Sequence, residues 1–276
     1  MAANPSLATP LAARRPPHRQ NNMTATPIVQ AERIVRRDAL RDNRTLLQPT
    51  DFALVGGDRV AISGPSGSGK SVLLRALALL DPLDGGRVRW HGNPVSRSAM
   101  PRYRRAIAYI RQRPALLDGT VEDNLRYPFS LAVYRDVRFE PAYVEALATH
   151  AGRGAGFLER QASELSGGEA QIVALIRVLQ LAPEVLLLDE PTASLDPEST
   201  DATEALIDAW FEDAPAARAC VWVSHDRAQA ARVGRRQLTM RAGVLSEPAA
   251  DAPDPVAAAL TRKPESNQTI GKESTR

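Results

Sequence analysis

The chain has 276 residues, 43% of them hydrophobic, and a formal net charge of +3. That length allows one large domain or two small ones around a sizeable core, and so mild a charge gives no reason to expect a nucleic-acid partner. Cys220 is the only cysteine, which excludes an intrachain disulfide and a cysteine-rich metal site, and no apolar run approaches the roughly 18 residues that a membrane-crossing helix needs.

Residues 1–27 carry five prolines together with Arg14, Arg15 and Arg19, and no acidic residue precedes Glu32. The prolines oppose an amphipathic targeting helix and no apolar signal core is present. Residues 1–27 are therefore expected to be a disordered leader, with Met23 as a second candidate start. From Pro248 the composition turns again to Ala, Pro, Ser and Thr, and 248–276 is expected to be a disordered tail. The folded domain is expected at 28–247.

Ile28–Val35 has the composition of a strand and Phe52–Val55 that of a second, with Gly56-Gly57-Asp58 as a turn signal. Val60–Ser63 reads as a third strand. It runs into Gly64-Pro65-Ser66-Gly67-Ser68-Gly69-Lys70-Ser71, and residues 71–80 read as a helix. This is G-x-x-x-x-G-K-[ST] in the strand–loop–helix setting that a phosphate-binding loop requires. Its glycines let backbone N–H groups converge on an anion at the positive end of a helix. Lys70 is expected to reach the β- and γ-phosphates, and the Ser71 hydroxyl to ligate Mg²⁺. The chain's other lysines, Lys263 and Lys272, fall in the tail, so Lys70 is the sole lysine of the expected domain.

Beyond the loop, Asp84-Gly85-Gly86 turns the chain into Arg87–Trp90, and Ala106–Ile110 reads as a buried strand ending at Arg111-Gln112. Thr120-Val121-Glu122-Asp123 has the form of a capping box opening a short helix. Residues 140–151 have helical spacing, as do Gly167–Leu181, where Val173, Leu175, Ile176 and Leu179 make an apolar stripe. Val185–Asp189 is a continuous apolar run closing in a carboxylate, the pattern of a parallel strand buried on both faces. A helix at 198–211 and a strand at Ala219–Val223 follow. This alternation implies an α/β fold with right-handed crossovers.

Four further features bear on chemistry. Asp189 stands where it can serve the Mg²⁺ shell, and Glu190 where it can orient or deprotonate an attacking water. Without the phosphate loop, such a pair would read as a solvated strand end. Ser166-Gly167-Gly168, opening the helix at 167–181, offers a second anion site. One bound nucleotide does not need two such sites, so this one is expected to close over a nucleotide held by a second copy of the chain. Ser166 and Glu169 also fit an ordinary capping box, and both roles are compatible. Gln112, just past a strand, could reach Mg²⁺ or the water. His225 follows the strand Ala219–Val223 and Ser224, although a lone histidine at a strand end is more often structural.

Gly64–Ser71, Gln112, Leu165-Ser166-Gly167-Gly168-Glu169, Val185–Asp196 (VLLLDEPTASLD) and His225, in this order, resemble the ATP-binding subunits of ABC transporters. The resemblance covers nearly all of 28–247. It implies a P-loop NTPase fold of ABC ATPase type: a mainly parallel core sheet, an antiparallel β subdomain, and a helical subdomain at about 100–180. It further implies ATP and Mg²⁺ as cofactors, Ser194-Leu195-Asp196 at a dimer interface, and a homodimer clamping two ATP molecules. Each ATP would lie between one chain's phosphate loop and the other's Ser166-Gly167-Gly168, with Glu190, His225 and Gln112 as the catalytic set and Ser71, Gln112 and Asp189 around the metal. A separate integral membrane permease is implied as partner, which would put the chain on the cytoplasmic face of the inner membrane as a peripheral subunit. Within the family, Gln112–Leu125 with Tyr127-Pro128-Phe129, Leu175–Gln180 and Val221–Asp226 look like the iron-export FetA (YbbL-type) subgroup. An ATPase subunit of an importer for amino acids or metals is the main alternative, and a non-transport ABC ATPase a weaker one.

Two departures stand out. No Phe, Tyr, Trp or His lies between Arg19 and Asp51, where such subunits usually carry an aromatic against adenine, which leaves Leu40 or Arg41 to meet the base. Ile172 also occupies a position where the family often has arginine.

Overall fold

The computed structural model describes residues 26–40 and 42–248. All but Thr26 and Pro27 of the expected leader, all but Pro248 of the expected tail, and Arg41 lie outside the described residues.

Strands β1 (Val29–Asp38) and β2 (Arg44–Leu54) form an antiparallel hairpin. Both run beyond the stretches whose composition marks them, because register shifts interrupt the alternation of β1 and Pro49 interrupts that of β2. Strand β3 (Arg59–Ser63) leads through residues 64–69 into helix α1 (Lys70–Leu77). After β4 (Gly85–Trp90) and the short β5 (Asn93–Pro94), helix α2 (Met100–Ala106) passes straight into β6 (Ile107–Ile110). Ala106 thus ends a helix rather than beginning a strand; three arginines and a proline in seven residues hide α2 from an apolar pattern.

Helices α3 (Val121–Arg126), α4 (Pro141–His150) and α5 (Gly167–Leu179) follow. Both expected capping boxes are formed, Thr120 with Asp123 on α3 and Ser166 with Glu169 on α5. The chain then runs through β7 (Val185–Asp189), α6 (Pro197–Asp213), β8 (Ala219–Val223), α7 (Arg227–Val233), β9 (Arg236–Arg241) and β10 (Val244–Ser246). The composition did not mark α7, β9 or β10. In β9 only Leu238 and Met240 are buried, so its apolar signal is two residues deep.

The strands form two sheets. One is antiparallel, in the order β2-β1-β4-β5; the other has the order β10-β9-β3-β8-β7-β6 and is parallel except for its edge strand β10. Strand alternation splits the core in two. Val185 and Leu187 of β7 pack with Leu73, Leu74 and Leu77 of α1 and with the antiparallel sheet. Leu186 and Leu188 pack with Ile172 and Ile176 of α5 and Leu206, Ile207 and Trp210 of α6. Each such fully buried leucine contributes about 1.5–3 kcal/mol of transfer free energy. Ile172, buried in this second layer, serves the core. Because β7 is buried on both faces, the end of β7 fixes Asp189 and Glu190 beside the start of α1.

Candidate functional site

The loop between β3 and α1 is a cradle shaped by close backbone approaches. A Cβ on Gly64 would lie 2.2 Å from the Met240 carbonyl oxygen, and one on Gly69 2.9 Å from that of Leu46. Both glycines also have left-handed φ values, 148° and 107°, so no other residue fits either place. Pro65, Ser66, Gly67 and Ser68 complete the loop. Its far side is closed by the β9–β10 turn, where Gly243 N donates to the Ser68 carbonyl at 2.8 Å.

Lys70 is only 5% exposed. Its Nζ donates to the carbonyls of Gly64 at 2.9 Å and Pro65 at 3.0 Å, so the ammonium is folded back into the cradle. Glu190 Oε1 stands 3.9 Å from that Nζ, and His225 Nδ1 lies 3.5 Å from Glu190 Oε2. Glu190 itself holds a left-handed φ of 50°. A β-region residue continuing β7 would send this side chain elsewhere; the less favoured backbone, a small local strain, turns it toward Lys70 and His225.

Asp189 ends β7 on the α1 side. The Ser71 hydroxyl donates to its Oδ1 at 2.9 Å and the Tyr109 hydroxyl to its Oδ2 at 2.8 Å. Burial first, then this bond to Asp189, push the Tyr109 phenol well above its usual pKa. Among the described residues no basic side chain forms an ion pair with Asp189, although the residue is only 7% exposed. A buried carboxylate served by hydroxyls and no cation is incomplete electrostatically, and its hard oxygen donors match the preference of Mg²⁺. The donor set therefore fits a magnesium ion held by Ser71 and Asp189.

Five expected residues thus converge: Lys70, Ser71, Asp189, Glu190 and His225. Gln112 does not join them. It lies exposed two residues beyond β6 and, among the described residues, makes no hydrogen bond to any of the five. The segment after it is nonetheless anchored. Buried Asn124 receives Leu117 N at 2.8 Å and donates to the Leu117 and Thr120 carbonyls, while Arg177 reaches the Ala115 carbonyl at 2.8 Å.

Ser166 and Gly167 are exposed at the start of α5, and among the described residues no hydrogen bond or ion pair links them to residues 64–71. Gly168 is buried against the start of α6: a Cβ there would lie 2.1 Å from Ser199 Oγ. Asp196 caps α6, its Oδ1 accepting from Ser199 N at 2.9 Å. Leu40, one of the two residues expected to meet the base, is 96% exposed near the tip of the β1–β2 hairpin.

Sequence reasoning missed Tyr109 and one further residue, Gln229. The Gln229 amide is buried; it donates to Thr192 Oγ1 and Glu204 Oε1 and accepts from Ser224 Oγ, all at 2.8 Å. It ties the chain beyond Glu190 to the chain before His225. No local pattern marked it, because α7 itself was not marked and the burial of Gln229 depends on how that helix docks.

A family model described as ABC transporter matches residues 47–193. The chain belongs to the ABC transporter ATP-binding domain family. Members of this family bind and hydrolyse ATP, and the loop, the β7 carboxylates and α5 described above lie inside the match. Protein STAR1 of rice (Oryza sativa subsp. japonica) is 40% identical over 183 residues, 66% of this chain and 52% of that protein. The chain thus spans about half the length of this relative. The probable iron export ATP-binding protein FetA of Escherichia coli K12 is 33% identical over 202 residues, 73% of this chain and 86% of that one. Similarities at 36% identity also run to ATP-binding proteins named for phosphate import and for sulfate/thiosulfate import. Among solved structures, the dimeric ATP-binding cassette MJ0796 in a post-hydrolysis state with ADP and Pi superposes with a TM-score of 0.68 at 25% identity, over 79% of this chain and 98% of that one.

Proposed function

We propose that this chain is the ATP-hydrolysing subunit of an ABC transporter, acting as a homodimer on a separate membrane permease. The observation that carries the proposal is Glu190, held by its own backbone between Lys70 and His225 at the mouth of the phosphate cradle. In this proposal the loop amides of 64–69 and Lys70 bind the phosphates, and Lys70 exchanges its carbonyl partners for phosphate oxygens. Ser71 and Asp189 hold Mg²⁺, which when bound neutralises charge developing on the transferred phosphoryl group. Glu190 orients the attacking water and takes its proton. His225 holds Glu190 from the other side and contacts the γ-phosphate, and Gln112 swings in from its exposed loop toward the metal side. Ser166, Gly167 and Gly168 present the α5 N-terminus to the nucleotide of the partner copy. Adenine packs on Leu40 or stacks on Arg41, the latter outside the described residues.

The domain limits proposed are 28–247, with the helical subdomain at about 100–180. Among the described residues no helix is long and apolar enough to cross a membrane; the partner proposed is a permease on another chain, and the place proposed is peripheral, at the cytoplasmic face of the membrane. Similarity to FetA supports iron or another metal as exported cargo. Similarity to importers at 36% identity favours a second reading, an import ATPase of the same architecture.

Phosphate release measured against protein concentration tests the proposal. Turnover should rise more steeply than linearly as the dimer forms, and ATP should shield Lys70 from acylation. Strictly linear turnover, or labelling of Lys70 unchanged by ATP, contradicts it.

A further inference from the structure

Tyr109 sits on β6, opposite Leu187 of β7 in parallel register. Asp189 lies two residues beyond Leu187, so strand alternation puts it on the same face of the sheet. The tyrosine side chain is long enough to cover this diagonal, and its hydroxyl donates to Asp189 Oδ2 at 2.8 Å. The other oxygen takes the Ser71 hydroxyl at 2.9 Å. A carboxylate turns readily about its terminal torsion, whose preference is broad and two-fold; one donor on each oxygen fixes its plane.

We propose that Tyr109 is a positioning residue for the metal site: it holds the Asp189 carboxylate in the orientation that a divalent cation beside Ser71 requires. The proposal rests on the assignment of Ser71 and Asp189 to the metal. A cation there would be held by the Ser71 oxygen and Asp189, and Tyr109 would hold the same carboxylate through Oδ2 without itself being a ligand. The position is suited to this. Tyr109 is half-buried and lines a 250 Å³ cavity together with Leu80, Arg105, Tyr134, Val178 and Leu181. Tyr109→Phe therefore keeps the wall and the packing and removes only the hydroxyl. Loss of a hydrogen bond to a metal-binding carboxylate typically weakens metal affinity about 10–100-fold.

The test uses the full chain with a non-hydrolysable ATP analogue, and Mn²⁺ as the probe. Bound Mn²⁺ is counted from the loss of the free-ion EPR signal. Nucleotide affinity is measured separately in EDTA with a fluorescent ATP, and folding by Tm. Y109F should bind Mn²⁺ about tenfold more weakly than wild type, with nucleotide affinity in EDTA unchanged and a cooperative unfolding transition whose Tm falls by no more than the loss of one hydrogen bond accounts for. Mn²⁺ affinity within about twofold of wild type overturns the role of Tyr109; so does a loss matched by an equal loss of nucleotide affinity in EDTA. S71A and D189N separate the two levels. If both lose Mn²⁺ while Y109F keeps it, the metal assignment stands and only Tyr109 fails. If wild type itself takes up no Mn²⁺ with nucleotide, both fail.

Discussion

The two glycine-rich helix starts of this chain differ in how complete they are. At α1 the loop is closed from behind by Met240, Leu46 and Gly243, and Lys70 is buried and pre-aimed by its own loop carbonyls. Glu190 and His225 stand across from it. At α5, Ser166 and Gly167 face solvent, and Glu169 caps Ser166 N at 2.9 Å and is itself held by Arg160. Burial raises the Glu169 pKa, but the bonds from Ser166 and Arg160 outweigh it and hold the carboxyl below its usual range. The first start is a finished cradle. The second is an exposed start that, among the described residues, makes no hydrogen bond or ion pair to 64–71, as the proposed role of half a site requires.

The largest effect should come from the finished half. Glu190→Gln keeps size and polarity but removes the base. ATP turnover should fall about 100-fold or more, within the range for general-base loss, while fluorescent-ATP binding persists. Turnover equal to wild type would remove Glu190 from its role.

Gly167→Asp probes the other half. Nothing lies within 4 Å of a Cβ at this position, and an acid at a helix start is tolerated or stabilising, so Tm should hold and each chain should still bind ATP. A carboxylate aimed at a partner's phosphates should nevertheless cut turnover about tenfold or more through repulsion. Wild-type turnover would mean that the α5 start never meets a nucleotide, and the comparison would collapse.

Gln229→Leu sharpens the comparison within the first half, because it strips partners from Thr192, Ser224 and Glu204 together. A loss of about 1–3 kcal/mol of stability is expected, measured by urea unfolding. Glu204 adds a pH signature. Burial raises its pKa, but hydrogen bonds from Arg232 and Gln229 bring it below the ordinary 4.5. A depressed carboxylate stabilises above its unfolded pKa and loses that contribution as pH falls through its folded value. The wild-type advantage over Gln229→Leu should therefore be present above pH 4.5 and shrink below it. An advantage that grows on acidification would exclude Glu204 from the network. The smallest effect belongs to Ser166→Ala, a lost cap worth about 1 kcal/mol, read by the same unfolding.

What was legible in the sequence was local. A phosphate loop is eight consecutive residues of fixed type, so Gly64–Ser71 announces itself from residue type alone, even though Met240, Leu46 and Gly243 close it from behind. The same is true of the capping boxes at Thr120 and Ser166 and of β7, where burial on both faces writes an unbroken apolar run. Elements whose order comes from packing were faint: α2 is mostly basic and polar, β9 shows two apolar residues, and β2 carries a proline. The site divides the same way. Lys70, Ser71, Asp189, Glu190 and His225 could be named from residue type and from the strand ends that carry them. That Tyr109 holds Asp189 from 80 residues away, or that Gln229 joins Thr192 to Ser224, depends on strand register and helix docking. No local pattern encodes those, because a hydrogen bond between distant residues exists only once the sheet has set their separation. Sequence thus determined which groups are candidates for the chemistry; the tertiary structure alone decided which neighbours aim them.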